Sequence, residues 1–304
     1  MKELYKRFRP KSLKAIIGNE STVNALSNMI AKETVPHTML FFGPSGCGKT
    51  TLARILQTEL ECSDLDFKEM NCSANRGIDD IREIQRRMNM APTGKCRIWL
   101  LDEVHMLTRE AQNAALKILE DTPRHVYFFL CTTDPQKLIK TIRTRCCEMA
   151  VELLSYNQLE KLCLRVCDKV KLKLEKDILD DLVASAEGSA RSLLVSLDKL
   201  KNLDASGQRK ALSQKQDGER EGIELCRALI NCAGWKSVAG ILKNLKEDPE
   251  KIRWAVLGYA RAVLLKGGDK TGQAALVIDC FKEHFYDSKA PGLAYACYEA
   301  VVSE

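Results

Sequence analysis

A short apolar run, Thr38-Met39-Leu40-Phe41-Phe42, leads directly into Gly43-Pro44-Ser45-Gly46-Cys47-Gly48-Lys49-Thr50, and a helical period of Leu52, Ile55, Leu56 and Leu60 follows. A strand that feeds a glycine loop and then a helix leaves few options. The glycines let consecutive backbone N–H groups turn around an anion, and the start of the helix adds partial positive charge. The G-x-x-x-x-G-K-[ST] spacing in this context predicts a nucleotide phosphate loop. Gly43, Pro44, Ser45, Gly46, Cys47, Gly48, Lys49, Thr50 and Thr51 are therefore expected to contact ATP. Lys49 would take the β- and γ-phosphates, and the Thr50 hydroxyl would be a Mg²⁺ ligand.

Two further apolar runs, 97–101 and 126–131, read as buried strands, with helical periods between them such as Ile78, Ile81, Ile84 and Met88. Strands alternating with helices predict a parallel sheet covered on both faces, lasting to about residue 150. In such sheets the carboxyl ends of the strands carry the ligand site. Strand 97–101 ends in Asp102-Glu103, so Asp102 is expected at the Mg²⁺ ion and Glu103 on the attacking water. Strand 126–131 ends in Thr132-Thr133; Thr133 is the preferred partner for the γ-phosphate or the water, with a plain strand cap as the alternative. His105 reads as a supporting or surface polar residue.

From Ser155 onward the sequence is helical. Ser155 with Gln158 fits a capping box, a helix near 176–187 should stop at Gly188, and another should begin at Ser189. The polar stretch 204–222, with three glycines, reads as a linker, and helices are expected near 223–232, 235–246, 249–265, 271–286 and 292–302. The fold class is thus α/β: a parallel-sheet nucleotide-binding domain over 1–150, a small helical domain over 151–204 and an all-helical C-terminal domain over 205–304. No apolar run is long enough for a membrane span, and no signal-peptide core follows the basic start. A cytoplasmic protein without membrane partners is expected, its 13 cysteines reduced.

Met39 to Thr51, Asn71 to Ile84, Leu101 to Glu120 and Thr132 to Cys146 together resemble the AAA+ clamp-loader ATPases, of the bacterial DNA polymerase III tau/gamma type and the replication factor C small-subunit type. The likeness is dense over residues 1–200. It implies that the second domain is a lid and the third an oligomeric collar. It also implies that Tyr5, Arg9, Pro10 and Ile17 contact the adenine, that Arg191 of Gly188-Ser189-Ala190-Arg191 reaches from the lid to the γ-phosphate, and that Arg145 acts in trans as an arginine finger on a neighbouring subunit's nucleotide. A guanidinium suits that task because its charge is permanent and its fork matches phosphate oxygens. The four-cysteine zinc module of the bacterial subunit is missing, so zinc is not implied; nor is the long tau-type tail, since the sequence stops at 304.

The net charge of +6 is modest, so the location of basic residues decides more than their total. Arg82, Arg86 and Lys117, with Arg76 just before the first of them, belong to two helices that in the resembled family track the backbone of primer–template DNA; a solvated helix face is the alternative. The apolar residues of 254–264 fit either collar contacts or a self-contained bundle. The resulting expectation is an ATPase subunit of a sliding-clamp loader, using ATP and Mg²⁺, partnered by other loader subunits in a pentamer, by the clamp and by primer–template DNA at the nucleoid or replication site. An AAA+ DNA translocase or helicase loader is the alternative, and a scaffold that binds but does not hydrolyse ATP is a third reading.

Overall fold

The computed structural model describes residues 3–245 and 247–302, with side chains undescribed at 205, 210 and 212–220. The chain divides into two compact units, Met1–Asn202 and Leu203–Glu304.

The first unit starts with α1 (Leu4–Arg7) and α2 (Glu20–Ala31), followed by β1 (Thr38–Phe42), α3 (Lys49–Glu59), β2 (Phe67–Asn71), α4 (Ile78–Met88) and β3 (Arg97–Asp102). A 3-10 turn, Val104–Met106, leads to α5 (Arg109–Glu120), β4 (Val126–Thr132), α6 (Lys140–Arg143) and β5 (Cys147–Ala150). The five strands form one sheet in the order β2-β3-β4-β1-β5, every neighbouring pair parallel. The apolar runs are continuous because both faces are covered, and side chains alternate between them. Met39, Phe41, Ile98, Leu100, Phe129 and Cys131 join Leu26 of α2 and Leu52, Ile55 and Leu56 of α3 on one face. Leu40, Trp99, Leu101, Phe128 and Leu130 join Ile81 and Ile84 of α4 and Ala115 and Ile118 of α5 on the other. Each such large side chain contributes about 1.5–3 kcal/mol by leaving water.

After the sheet come α7 (Tyr156–Val170), α8 (Lys176–Ala184) and α9 (Ala190–Leu200). The expected capping box is present: Gln158 N donates to Ser155 Oγ at 3.4 Å and Ser155 N to Gln158 Oε1 at 3.0 Å. Gly188 takes a left-handed φ of +83°, and Ser189 caps α9 by accepting from Ser192 N at 3.2 Å.

The second unit contains α10 (Ala205–Ile230), α11 (Trp235–Asn244), α12 (Pro249–Lys266), α13 (Thr271–Cys280) and α14 (Lys289–Val302). The linker expected over 204–222 is corrected here: those residues begin a 26-residue helix. Asp204 caps it, accepting from Gly207 N at 3.0 Å, and its Lys, Arg, Gln, Glu and Ala residues are good helix formers. Gly222 marks a helix crossing rather than a flexible joint, because a Cβ there would sit 2.5 Å from Ala255 Cβ on α12. The helix expected over 271–286 stops at Cys280. Phe281 and Phe285 of the following turn are buried in the core instead, beside Leu225, Val256, Val277 and Leu293.

Candidate nucleotide site

A cavity of about 370 Å³ opens at the carboxyl ends of the strands in the first unit. One wall is the loop from Ser45 to Leu52, and a second is the strand tip Asp102-Glu103. The N-terminal segment contributes Tyr5, Arg9, Pro10 and Ile17, while α9 contributes Arg191 and Leu194. Segments nearly 190 residues apart thus meet around one space. Gly43, Pro44 and Thr133 stand outside the wall itself and touch it through Lys49 and Glu103. Lys49 Nζ donates to the carbonyls of Gly43 and Pro44, at 2.7 and 2.8 Å, which aims a 6% exposed ammonium into the loop. Burial pushes the Cys47 thiol above its ordinary pKa, so this loop position stays neutral.

At the strand tips Thr50 Oγ1 donates to Asp102 Oδ2 at 3.1 Å. Asp102 Oδ1 accepts from Glu103 N at 3.0 Å. Thr133 Oγ1 donates to Glu103 Oε2 at 3.3 Å. Thr132 is fully buried, and its hydroxyl accepts from Asp134 N at 3.1 Å. Of the two threonines, then, Thr133 reaches the carboxylate. A hydroxyl and a carboxylate within hydrogen-bond distance are hard oxygen donors of the kind Mg²⁺ selects, so Thr50 and Asp102 fit that ion.

The Arg191 guanidinium lies 5.9 Å from the Tyr5 ring centroid. Burial, with Arg54 and Arg191 adding like charge, pulls the Arg9 guanidinium below its ordinary pKa. Sequence reasoning missed Asn19, Leu154, Leu162, Arg165 and Lys169 on the cavity wall. Leu162, Arg165, Val166 and Lys169 share one face of α7 at i, i+3, i+4 and i+7, a spacing that shows a common face but not what that face meets. Asn19 holds the segment that leads into α7: its Oδ1 accepts from Glu152 N at 2.7 Å and its Nδ2 donates to Glu152 O at 3.1 Å.

Arg145 is outside this cavity. Its carbonyl accepts from Thr38 Oγ1 at 2.6 Å, placing it at the amino end of β1, the end opposite the phosphate loop. Its guanidinium donates to Glu120 and to Thr141 O. Arg76, Arg82, Arg86 and Lys117 are exposed on or just before α4 and α5, which pack side by side. Arg82 pairs with Asp79 at 3.0 Å, and Arg76 Nε donates to Ser73 O at 2.8 Å.

The superposition on known structures follows this geometry. The Thermotoga maritima RuvB Holliday junction branch migration motor matches with a TM-score of 0.57 over 78% of this chain and 85% of that chain, at 19% identity. This is an AAA+ fold. In sequence, the chain is 32% identical over 221 residues to DNA polymerase III subunit gamma/tau of Mycobacterium bovis, covering 65% of this chain and 38% of that protein. It is 30% identical over 298 residues to the tau subunit of Bacillus subtilis, covering 86% and 51%. It is 33% identical over 217 residues to the gamma subunit of Buchnera aphidicola, covering 64% and 60%. The chain therefore spans 38–60% of the length of these relatives. The family model described as DNA polymerase III, delta subunit, matches residues 73–155, and that described as magnesium chelatase, subunit ChlI, matches 12–96. The likeness to DNA polymerase III gamma/tau subunits read from the motifs is borne out. Among the described residues no helix is long and apolar enough to cross a membrane.

Proposed function

We propose that the chain is an ATP-hydrolysing subunit of a sliding-clamp loader, a pentamer acting at primer–template DNA in the cytoplasm, at the nucleoid or replication site. The observation that carries this reading is the pairing of Thr50 with Asp102 and of Thr133 with Glu103 at one strand edge, beside a buried Lys49, in a chain similar to gamma/tau subunits. Lys49 would exchange its two carbonyl partners for β- and γ-phosphate oxygens. Thr50 and Asp102 would hold Mg²⁺, which when bound neutralises phosphate charge. Glu103 would orient the water, and Thr133 and Arg191 would sense the γ-phosphate. Tyr5, Arg9, Pro10 and Ile17 would enclose the base. In this reading 1–150 is the nucleotide-binding domain, 151–204 the lid and 205–304 the collar, while Arg76, Arg82, Arg86 and Lys117 meet DNA phosphates, whose contacts give sequence-independent affinity.

Arg145, turned away from its own cavity, is assigned to the neighbouring subunit's nucleotide. In Arg145→Ala, ATP binding should survive while turnover stimulated by DNA and clamp falls at least about 10²-fold, given the ~10³–10⁵ that such fingers supply. Undiminished turnover would remove the assignment. The RuvB likeness is one of fold at 19% identity; sustained strand displacement in a helicase assay would favour a translocase instead.

A further inference from the structure

Glu103 leaves β3 in the left-handed region, with φ 54° and ψ 44°. This reversal starts the 3-10 turn Val104–Met106 and brings the side chain at 105 back against the carboxylate at 103. The His105 side chain is only 9% exposed, and its Nδ1 lies 3.4 Å from Glu103 Oε2 and 3.0 Å from Thr132 Oγ1. Thr132 is anchored by Asp134 N, so the imidazole is held from the β4 tip. An Nδ1 lone pair facing a carboxylate oxygen would repel it. The arrangement is favourable when Nδ1 carries the hydrogen, which bonds the Thr132 hydroxyl and turns the positive end of the imidazole dipole toward the carboxylate. Thr133 donates to that same Oε2. One hydroxyl donor and the edge of the imidazole therefore meet at one oxygen of Glu103, and among the described residues Oε1 accepts no hydrogen bond.

We infer that His105 is a positioning residue: together with Thr133 it fixes the carboxylate by Oε2, so that Oε1 is the oxygen presented to the attacking water. This rests on the ATPase reading above. Orientation of a general base affects the chemical step rather than nucleotide affinity, because the carboxylate touches water and not the phosphates.

The test is steady-state ATP turnover of the full chain in its assembly, with nucleotide affinity measured separately on a fluorescent ATP analogue. His105→Ala should lower kcat about tenfold while KM and analogue affinity stay within about twofold. His105→Asn, whose amide lies as far from Cβ as Nδ1 does, should restore kcat to within about threefold, whereas His105→Gln, which reaches one bond further, should not. In Glu103→Gln, adding His105→Ala should change nothing more, because the histidine would have no carboxylate left to orient. The inference is overturned if His105→Ala turns over at the parental rate, if His105→Asn is as slow as His105→Ala, if the losses add in the double variant, or if ATP affinity falls in step with kcat. A parent without turnover would overturn the ATPase reading as well; an active parent matched by His105→Ala would overturn the positioning role alone.

Discussion

At Asp66 one carboxylate ties the loop before β2 to the loop before β3. It is 1% exposed and accepts from Ser63 Oγ at 2.7 Å, Thr93 N at 2.8 Å, Gly94 N at 3.0 Å and the Arg97 guanidinium at 3.0 Å. Burial alone would raise its pKa; the hydrogen bonds from Thr93, Ser63, Gly94 and Arg97 outweigh it and hold the carboxyl well below the usual carboxylate range. A group depressed in the folded state contributes stability above its unfolded value of about 4 and loses it as pH falls toward the folded value. Asp66→Ala should therefore cost about 3 kcal/mol at pH 7, since it leaves two N–H groups unpaired and removes the carboxylate from the half-buried Arg97 guanidinium, which keeps only the carbonyls of Arg87, Met90 and Ala91. In thermal melts the gap between variant and parent should be constant from pH 8 to about 5 and narrow below about 4. Equal melting temperatures at pH 7 would refute the role. ATP affinity should be spared, because Asp66 lies at the amino end of β2, away from the strand tips.

At the scale of elements, the phosphate loop and α9 meet almost without clearance. A Cβ at Gly46, where φ is +76°, would lie 2.2 Å from the Oγ of Ser189, the cap of α9. Gly46→Ala should thus weaken ATP binding about tenfold or more, with a strain of about 1–3 kcal/mol in the loop. Adding Ser189→Ala should recover part of the loss by removing the clash while leaving the left-handed strain. A Gly46→Ala chain that binds an ATP analogue like the parent would show that the contact does not constrain the loop.

The same scale explains what was legible beforehand. β1, β3 and β4 are central strands, so Met39 to Phe41, Ile98 to Leu101 and Phe128 to Leu130 had to be apolar on both faces. β2 and β5 are the sheet edges, where Lys68, Glu69 and Glu148 are tolerated, and no periodicity announced them. Lys49, Thr50, Asp102, Glu103 and Thr133 could be read because each follows a readable strand. Asn19, Leu162, Arg165 and Lys169 could not be placed at the cavity from local pattern, since only the path of the chain after β5 brings α7 beside the phosphate loop. The polar start of α10 was misread because helix propensity and an Asp204 cap outweighed three glycines, one of them a packing glycine.

At the scale of the whole molecule, every residue lining the cavity lies between Tyr5 and Leu194, inside the unit that ends at Asn202. The second unit has its own apolar core around Leu225, Val256, Val277, Phe281 and Leu293. It also has an internal ion pair, with Arg253 Nε donating to Glu250 Oε1 at 2.8 Å and Phe285 N donating to Glu250 Oε2 at 2.8 Å. A core of its own in each unit implies that the first unit can fold and hold its cavity without the second. A fragment ending at Asn202 should bind an ATP analogue within about threefold of the full chain's affinity. Light scattering should find that fragment monomeric where the full chain assembles, if 205–304 is the collar. Loss of analogue binding in a fragment that still melts cooperatively would mean that the site depends on residues beyond 202, and an oligomeric fragment would place the assembly contacts in the first unit.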